Sequence, residues 1–136
     1  MRAQDSKIAS AKQGCEAFSD IDQSALDGIP TGFCVCRADG ALVRYNKRAV
    51  ELWGRGPGLG DVGEFSETKF RRYTAQGVPL PFAASPVAVA LRSGVPVRGV
   101  ELLIERPDGS QVPVLMNVAP LKDADGRIDG AVCSFQ

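Results

Sequence analysis

Thiols and carboxylates are the side chains of this chain that could carry chemistry, because the sequence contains no histidine. A phospho-accepting histidine, a histidine-ligated haem, a zinc site with histidine and a Ser-His-Asp triad are therefore excluded. Catalysis would have to use carboxylates, lysines or thiols.

Three of the four cysteines fall on predicted strands, and Cys34, Cys36 and Cys133 are candidates for a redox switch. Such a switch needs an accessible thiol of low pKa beside a resolving partner. The alternative is that the three are small apolar residues packed under an N-terminal helix, a role that suits cysteine. We expect no metal site, because the Cys34-x-Cys36 spacing differs from that of ordinary zinc pairs.

The carboxylates on predicted strands are Glu101, Glu105 and Asp129, and any of them could act as the general base of a small enzyme. The sequence pattern supplies neither a second acid nor an oxyanion donor to accompany them. We therefore predict a non-catalytic domain, with no catalytic residues, and keep the carboxylate enzyme as an alternative.

Length and charge limit the function further. A chain of 136 residues is long enough for one domain with one sizeable core. Its 16 basic and 16 acidic residues cancel, so no net field would attract nucleic acid or an anionic membrane. No apolar run approaches the roughly 18 to 20 residues that span a bilayer, and the N-terminus is too polar for a signal peptide. We expect a cytoplasmic protein whose cysteines stay reduced.

The last third of the chain predicts the sheet that must position these groups. Three runs rich in β-branched and apolar residues are separated by turns that contain Asp-Gly. The runs are residues 97–105, 111–121 and 128–135. Three antiparallel strands with one apolar face need a second layer over that face, and the earlier part of the chain must supply it.

Two helices and a hairpin are predicted before these strands. Asn46 and Ser85 have side chains preferred at helix N-caps, and Gly54 and Gly94 end the helical runs that follow. Asp39-Gly40 joins the hairpin. The strands of the hairpin are residues 32–38 and 41–45.

The first 29 residues have a helical pattern that Gly14 interrupts, so two helical pieces are predicted there. They would act as a lever or dimerisation element, or they would lie on their own domain. Both alternatives are open at this point.

The segment between the two predicted helices has no regular pattern. Its glycine-rich part lacks a Walker lysine and a preceding strand, so it does not predict phosphate binding. Lys69, Arg71 and Arg72 lie near Phe70 and Tyr73, an arrangement that could stack RNA bases. Because the net charge is zero, we instead predict a solvated face and no nucleic-acid partner.

An ordered set of short motifs from Leu26 to Gln136 resembles the opening, middle and end of PAS sensor domains. The motifs are Leu26-Asp27-Gly28-Ile29-Pro30-Thr31-Gly32-Phe33, Ala38-Asp39-Gly40, Asn46, Glu51-Leu52-Trp53-Gly54-Arg55, Ser85-Pro86 to Gly94, Arg106-Pro107-Asp108-Gly109, Ala119-Pro120-Leu121 and Asp123-Ala124-Asp125-Gly126-Arg127. The resemblance implies an α+β fold, with a five-stranded antiparallel sheet of order 2-1-5-4-3 and short helices on one face. It divides the chain into an N-terminal helical extension, residues 1–25, and a PAS domain, residues 26–136.

The resemblance also implies a sensory module of bacterial signal transduction, such as a two-component histidine kinase. The partners implied are a second copy in a homodimer and a linked effector domain. In the implied strand order, the strand of Cys34 and Cys36 neighbours that of Cys133, which would bring the thiols together on the uncovered face. A ligand-free dimerisation scaffold, with or without thiol chemistry, is the alternative function.

No cofactor is expected from the resemblance. Flavin photoreceptor members and the yellow-protein branch need a cysteine in the middle of the domain, and haem-binding members use a histidine. An unidentified small molecule is the ligand class that remains. The candidate pocket walls are Phe33, Val35, Leu42, Trp53, Phe70, Leu91, Met116 and Val118. These apolar walls favour a hydrophobic ligand, since a charged ligand requires a buried counter-charge, but the same residues could simply fill the core.

Overall fold

The computed structural model of the chain describes residues 12–56 and 71–136, and its strands form one six-stranded antiparallel sheet of order β2-β1-β6-β5-β4-β3. The strands are β1 Gly32–Arg37, β2 Leu42–Tyr45, β3 Arg72–Thr74, β4 Val97–Glu105, β5 Gln111–Lys122 and β6 Ile128–Phe135. The α+β fold is confirmed, and the five predicted strands have the implied order. The additional strand, β3, pairs with β4 at the edge of the sheet.

Short helices cover one face of the sheet, which we call the inner face. The described α-helices are α1 Gln23–Asp27, α2 Lys47–Trp53 and α3 Pro86–Ser93, and α2 and α3 contact the sheet here. The described 3₁₀ helices are Phe82–Ala84, beside α3, and Gly14–Phe18, which lies on the opposite face. The side chains of Asn46 and Ser85 accept hydrogen bonds from the first turns of α2 and α3. Gly54 and Gly94 follow these helices with φ of 76° and 69°, a conformation that glycine adopts without a Cβ clash. The predicted helix caps are confirmed.

Asn46 does more than cap α2. Its side chain is buried, and Oδ1 accepts the N–H of Ala49 at 2.9 Å and that of Phe33 at 3.0 Å. Its Nδ2 donates to three carbonyl oxygens between α1 and β1. These acceptors belong to Leu26, Ile29 and Thr31. One amide therefore joins the end of α1, the start of β1 and the start of α2.

The chain before β1 crosses the other face of the sheet, the outer face. The 3₁₀ helix Gly14–Phe18 contacts β1, β5 and β6 there. Two helical pieces are present as predicted, but each has five residues. The predicted helical turns of residues 1–11 lie outside the described residues. The described part of the extension thus lies on its own domain, and a role as lever or dimerisation element stays a prediction.

Candidate functional site

The layer between the inner face and the helices is an apolar interior that both α2 and α3 cover. Leu42, Trp53, Met116 and Val118, four of the predicted pocket walls, are at most 3 % exposed and belong to it. Leu91 packs against this group from α3 and is half-buried. Phe70 lies outside the described residues. The structure brings these five side chains to one interior, while their contact with a ligand stays a prediction.

The facing of β1 is the reverse of the predicted one. Cys34 and Cys36 are fully buried on the inner face, and Cys34 lies directly opposite Cys133 of β6. Phe33 and Val35, predicted as pocket walls, lie on the outer face beneath the segment that precedes β1. The prediction failed because β1 is apolar on both faces, so alternation alone cannot tell which face the helices cover.

The three inner-face cysteines form one group, the cysteine cluster, instead of lying on the uncovered face. The Cys133 thiol hydrogen-bonds with both Cys34 and Cys36. The hydrogen bond to Cys133 and burial raise the pKa of Cys36 far above the ordinary range, and the pKa of Cys133 is also raised. A thiol that is buried and protonated is a poor nucleophile, so this arrangement favours packing over redox chemistry.

Arg72 is a buried cation that the sequence pattern did not reveal. It is 4 % exposed and lies opposite Ile104, an inner-face residue of β4. Burial lowers the pKa of the guanidinium to about 10, and the nearby cysteine cluster opposes that shift. The predicted solvated face is therefore wrong for Arg72 and right for Arg71, whose side chain is 78 % exposed. Neither charge nor composition distinguishes the two neighbours; the register of β3 on β4 does.

Trp53 links α2 to the strand that ends the domain. Its ring lies 5.8 Å from that of Tyr45 on β2 and 5.6 Å from that of Phe135 on β6. The C-terminus of α2 is held from the other side by Arg106, which donates to the carbonyl oxygens of Glu51 at 2.7 Å and Leu52 at 3.2 Å. A change in the position of α2 would therefore reach the end of β6.

An open cleft of about 460 Å³ lies at the edge of the sheet, where β3 ends and β4 continues. Its lining includes Thr74 and Gln76 at the end of β3, Ala84 and Pro86 near the start of α3, and Val100 on β4. Val100 is on the inner face and packs against the interior. The cleft has the volume typical of small-molecule sites, and none of the predicted pocket residues that the structure describes lines it.

The three strand carboxylates have different surroundings. Glu105 accepts the hydroxyl of Tyr73 at 2.8 Å, and Asp129 accepts the backbone N–H of Cys15. Glu101 is exposed beside the open cleft. In residues 12–56 and 71–136, no group of three or more cysteine and carboxylate side chains could hold a metal ion. The described residues also include no helix that is long and apolar enough to cross a membrane.

Solved structures with the same fold are PAS domains. That of an HTR-like protein from Haloarcula marismortui is 20% identical, with a TM-score of 0.56, and the match covers 100% of this chain and 98% of that one. That of nitrogen regulation protein NR(II) from Vibrio parahaemolyticus is 15% identical, with a TM-score of 0.60, over 87% and 98%.

A further neighbour is Vibrio cholerae VqmA, at 20% identity and a TM-score of 0.59, with 83% of this chain covered and 49% of that one. This chain therefore spans about half the length of VqmA. A structure of VqmA bound to DPO is also similar, with a TM-score of 0.58. No curated protein sequence matches the chain.

The family model of the PAS domain matches residues 30–136, a range that includes all six described strands and helices α2 and α3. This chain belongs to the PAS domain family, whose members are generally sensory and interaction modules.

Proposed function

We propose that this PAS domain perceives a small molecule in the interior between the inner face and the helices, and relays its presence to an effector. The observation that carries the proposal is the interior itself, an apolar layer that α2 and α3 cover and that Arg72 borders from β3.

The interior favours a ligand with an apolar body and a hydrogen-bond acceptor. Trp53 and Met116 offer apolar contacts, and the guanidinium of Arg72 carries five N–H donors in a fixed plane. A carboxylate, phosphate or carbonyl oxygen matches such a donor group. This extends the hydrophobic ligand predicted from the sequence to one with a polar end that could share the guanidinium of Arg72.

The open cleft beside Val100 is the proposed route to that interior. It passes between the end of β3 and the start of α3, and Val100 packs against the interior. A ligand that entered here would first meet the polar side chains of Thr74 and Gln76 and then the apolar layer.

The proposed output is a linked effector domain in a signalling protein, acting as a homodimer. Support for this comes from a neighbour: the match covers 49% of VqmA, whose structure is that of a dimer in the absence of target DNA. A ligand-free scaffold is the alternative, which the close packing of the described interior favours.

Native mass spectrometry of the freshly purified protein tests the proposal. We expect a discrete adduct that disappears on denaturation, and a lower occupancy in Arg72→Met, which replaces the buried cation by an apolar chain of similar length. Arg71→Met is the matched control, since that neighbouring side chain is exposed. An adduct of equal occupancy in both variants would remove Arg72 from the site. An apo dimer without any adduct would favour the scaffold.

A further inference from the structure

Helix α2 is attached to the rest of the domain in different ways at its two ends. At the N-terminal end, the buried side chain of Asn46 bonds to the N–H of Ala49 and to three carbonyl oxygens of the chain from α1 to β1. The carboxylate of Asp27 accepts the N–H of Lys47 at 2.8 Å. A buried network in which each polar group is bonded is rigid, so this end of α2 is fixed in place.

The C-terminal end of α2 is tied to the sheet by Arg106, the first residue of the turn between β4 and β5. Its guanidinium donates to the carbonyl oxygens of Glu51 at 2.7 Å and Leu52 at 3.2 Å. The last turn of α2, residues 50–53, contains no basic residue, so Arg106 supplies the positive charge that a helix C-terminus favours. Gly54 lies directly on the stem of Arg106, where a Cβ would meet Cγ and Cδ at 3.2 Å. One side chain from a distant turn therefore determines how this end is held.

The end of α2 that Arg106 holds carries Trp53 into the interior. Trp53 is 3 % exposed and packs against the rings of Tyr45 and Phe135. The described interior around it is filled by apolar side chains. Because packed interiors contain few voids larger than a water molecule, a ligand can enter only if a side chain withdraws. The C-terminal end of α2 can move out with Trp53 while the bonds at Asn46 stay in place.

We propose that α2 is a hinged wall of the interior, with Asn46 as its hinge and Arg106 as its latch. Release of the latch displaces the C-terminal end of α2 and withdraws Trp53, and this movement makes the room that a ligand occupies. The inference rests on the proposed function only in this last step, because the hinge and the latch are properties of the protein without a ligand. The cleft beside Val100 stays the route of entry, since its lining comes from other parts of the chain.

Hydrogen exchange at the two ends of α2, measured by NMR on the full chain, tests the hinge. The N–H of Gly54 bonds to the carbonyl oxygen of Val50 at 2.8 Å and reports on the latched end. The N–H of Ala49 bonds to Asn46 at 2.9 Å and reports on the hinge. Arg106→Met keeps an apolar stem and removes both donors. Because these bonds come from a charged group, we expect the Gly54 amide to exchange about tenfold faster than in the wild type, and the Ala49 amide within about twofold.

The indole N–H of Trp53 tests the withdrawal of that ring in the same experiment. We expect its exchange to accelerate by the same factor as that of the Gly54 amide. Equal acceleration at Gly54 and Ala49 would mean general destabilisation and would overturn the hinge, and an unchanged Gly54 amide would overturn the latch. An unchanged indole beside a faster Gly54 amide would show that the ring stays in the interior. Should Arg106→Met fail to fold, Arg106→Lys replaces it, since an ammonium lacks the planar donors of the guanidinium.

Arg92→Met is the matched control. Arg92 on α3 donates to the carbonyl oxygen of Ala83 at 2.6 Å, so this variant removes a bond of the same kind away from α2. The Gly54 amide should exchange within about twofold of the wild type in this variant. A tenfold acceleration here as well would overturn the assignment of the latch to Arg106.

Binding of anilinonaphthalene sulfonate tests the last step, because this dye combines an apolar body with a sulfonate and so matches the proposed ligand chemistry. Opening that is easier without the ligand makes binding tighter, since the binding-competent state is more populated. We therefore expect Arg106→Met to bind the dye about tenfold more tightly than Arg92→Met does. Equal affinity would overturn the role of α2 in making room. No binding by any variant would contradict the proposed function, whereas the exchange rates decide the hinge and the latch in either case.

Discussion

Replacing Asn46 by aspartate should destabilise the protein severely, although aspartate and asparagine are equally good residues at an ordinary helix N-cap. The reason is the amide nitrogen of Asn46, Nδ2, which aspartate lacks. Oδ1 accepts two backbone N–H groups, and aspartate would preserve those bonds. Nδ2 donates to three carbonyl oxygens at 2.9, 3.3 and 2.9 Å, and aspartate would place a second oxygen there.

The expected loss follows from these contacts. The two N–H groups of Nδ2, which the three carbonyl oxygens share, are lost at about 1 kcal/mol each. A carboxylate takes the place of a neutral amide at a site that is 1 % exposed, and its desolvation adds at least 1 to 2 kcal/mol, as an order of magnitude. The total is about 3 to 4 kcal/mol, a large part of the roughly 5 to 15 kcal/mol by which a domain is stable.

Urea unfolding followed by the fluorescence of Trp53 measures this loss, because Trp53 is the one tryptophan of the sequence and is buried. Asn117→Asp is the matched control: Asn117 is half-buried on the outer face, and its Oδ1 accepts the N–H of Gly99 at 2.9 Å. Since aspartate can accept that bond equally well, we expect a change within about 0.5 kcal/mol. A loss of less than about 1 kcal/mol for Asn46→Asp would refute the idea that the three donor contacts stabilise the fold.

Three further predictions concern the thiols and the end of α2. Titration with a thiol reagent at pH 8 should leave the cysteine cluster unmodified until urea unfolds the protein, and more than one fast thiol in the folded state would contradict the burial of the cluster. Modification of Cys15 in the folded protein should be slow, because only the thiolate reacts and the pKa of this thiol is raised to about 12. The rate of modification should therefore rise with each pH unit up to about pH 12. A rate that reaches a plateau near pH 9 would show an unperturbed thiol. Gly54→Ala should lower the free energy of unfolding by about 1 to 2 kcal/mol, since the φ of Gly54 is 76° and a Cβ would meet Arg106 at 3.2 Å. Gly28→Ala is the control and should change the free energy of unfolding little. Equal unfolding midpoints for the two variants would contradict this prediction.

Short-range chemistry made most of the fold predictable. The caps at Asn46 and Ser85, the helix ends at Gly54 and Gly94, and the hairpin turns each depend on residues within a few positions of one another. The order of the strands came from the resemblance, since pairing between β1 and β6 joins positions about a hundred residues apart. No local pattern specifies such a pair.

The facing of β1 could not be predicted from its own sequence. Five of its six residues are apolar or small, and both of its faces are covered: the inner face by the helices, and the outer face by the 3₁₀ helix Gly14–Phe18. Alternation identifies a buried face only when the other face is exposed to water. One error of facing reverses every position of a strand. The prediction from the sequence therefore places the side chains of Cys34 and Cys36, and those of Phe33 and Val35, on the wrong faces together.

The polarity of the interior depends on a single register. Within β3, Arg72 opposes Ile104 on the inner face, whereas Tyr73 opposes Leu103 on the outer face. A slip of one residue would turn Arg72 outward and bring Tyr73 into the interior, with no change in composition or charge. The strand has three residues and follows a segment of mixed charge, so its own sequence contains no alternation long enough to define a face. Tertiary pairing with β4 therefore decides whether the interior is purely apolar or is bordered by a buried cation, which is the feature on which the proposed ligand chemistry depends.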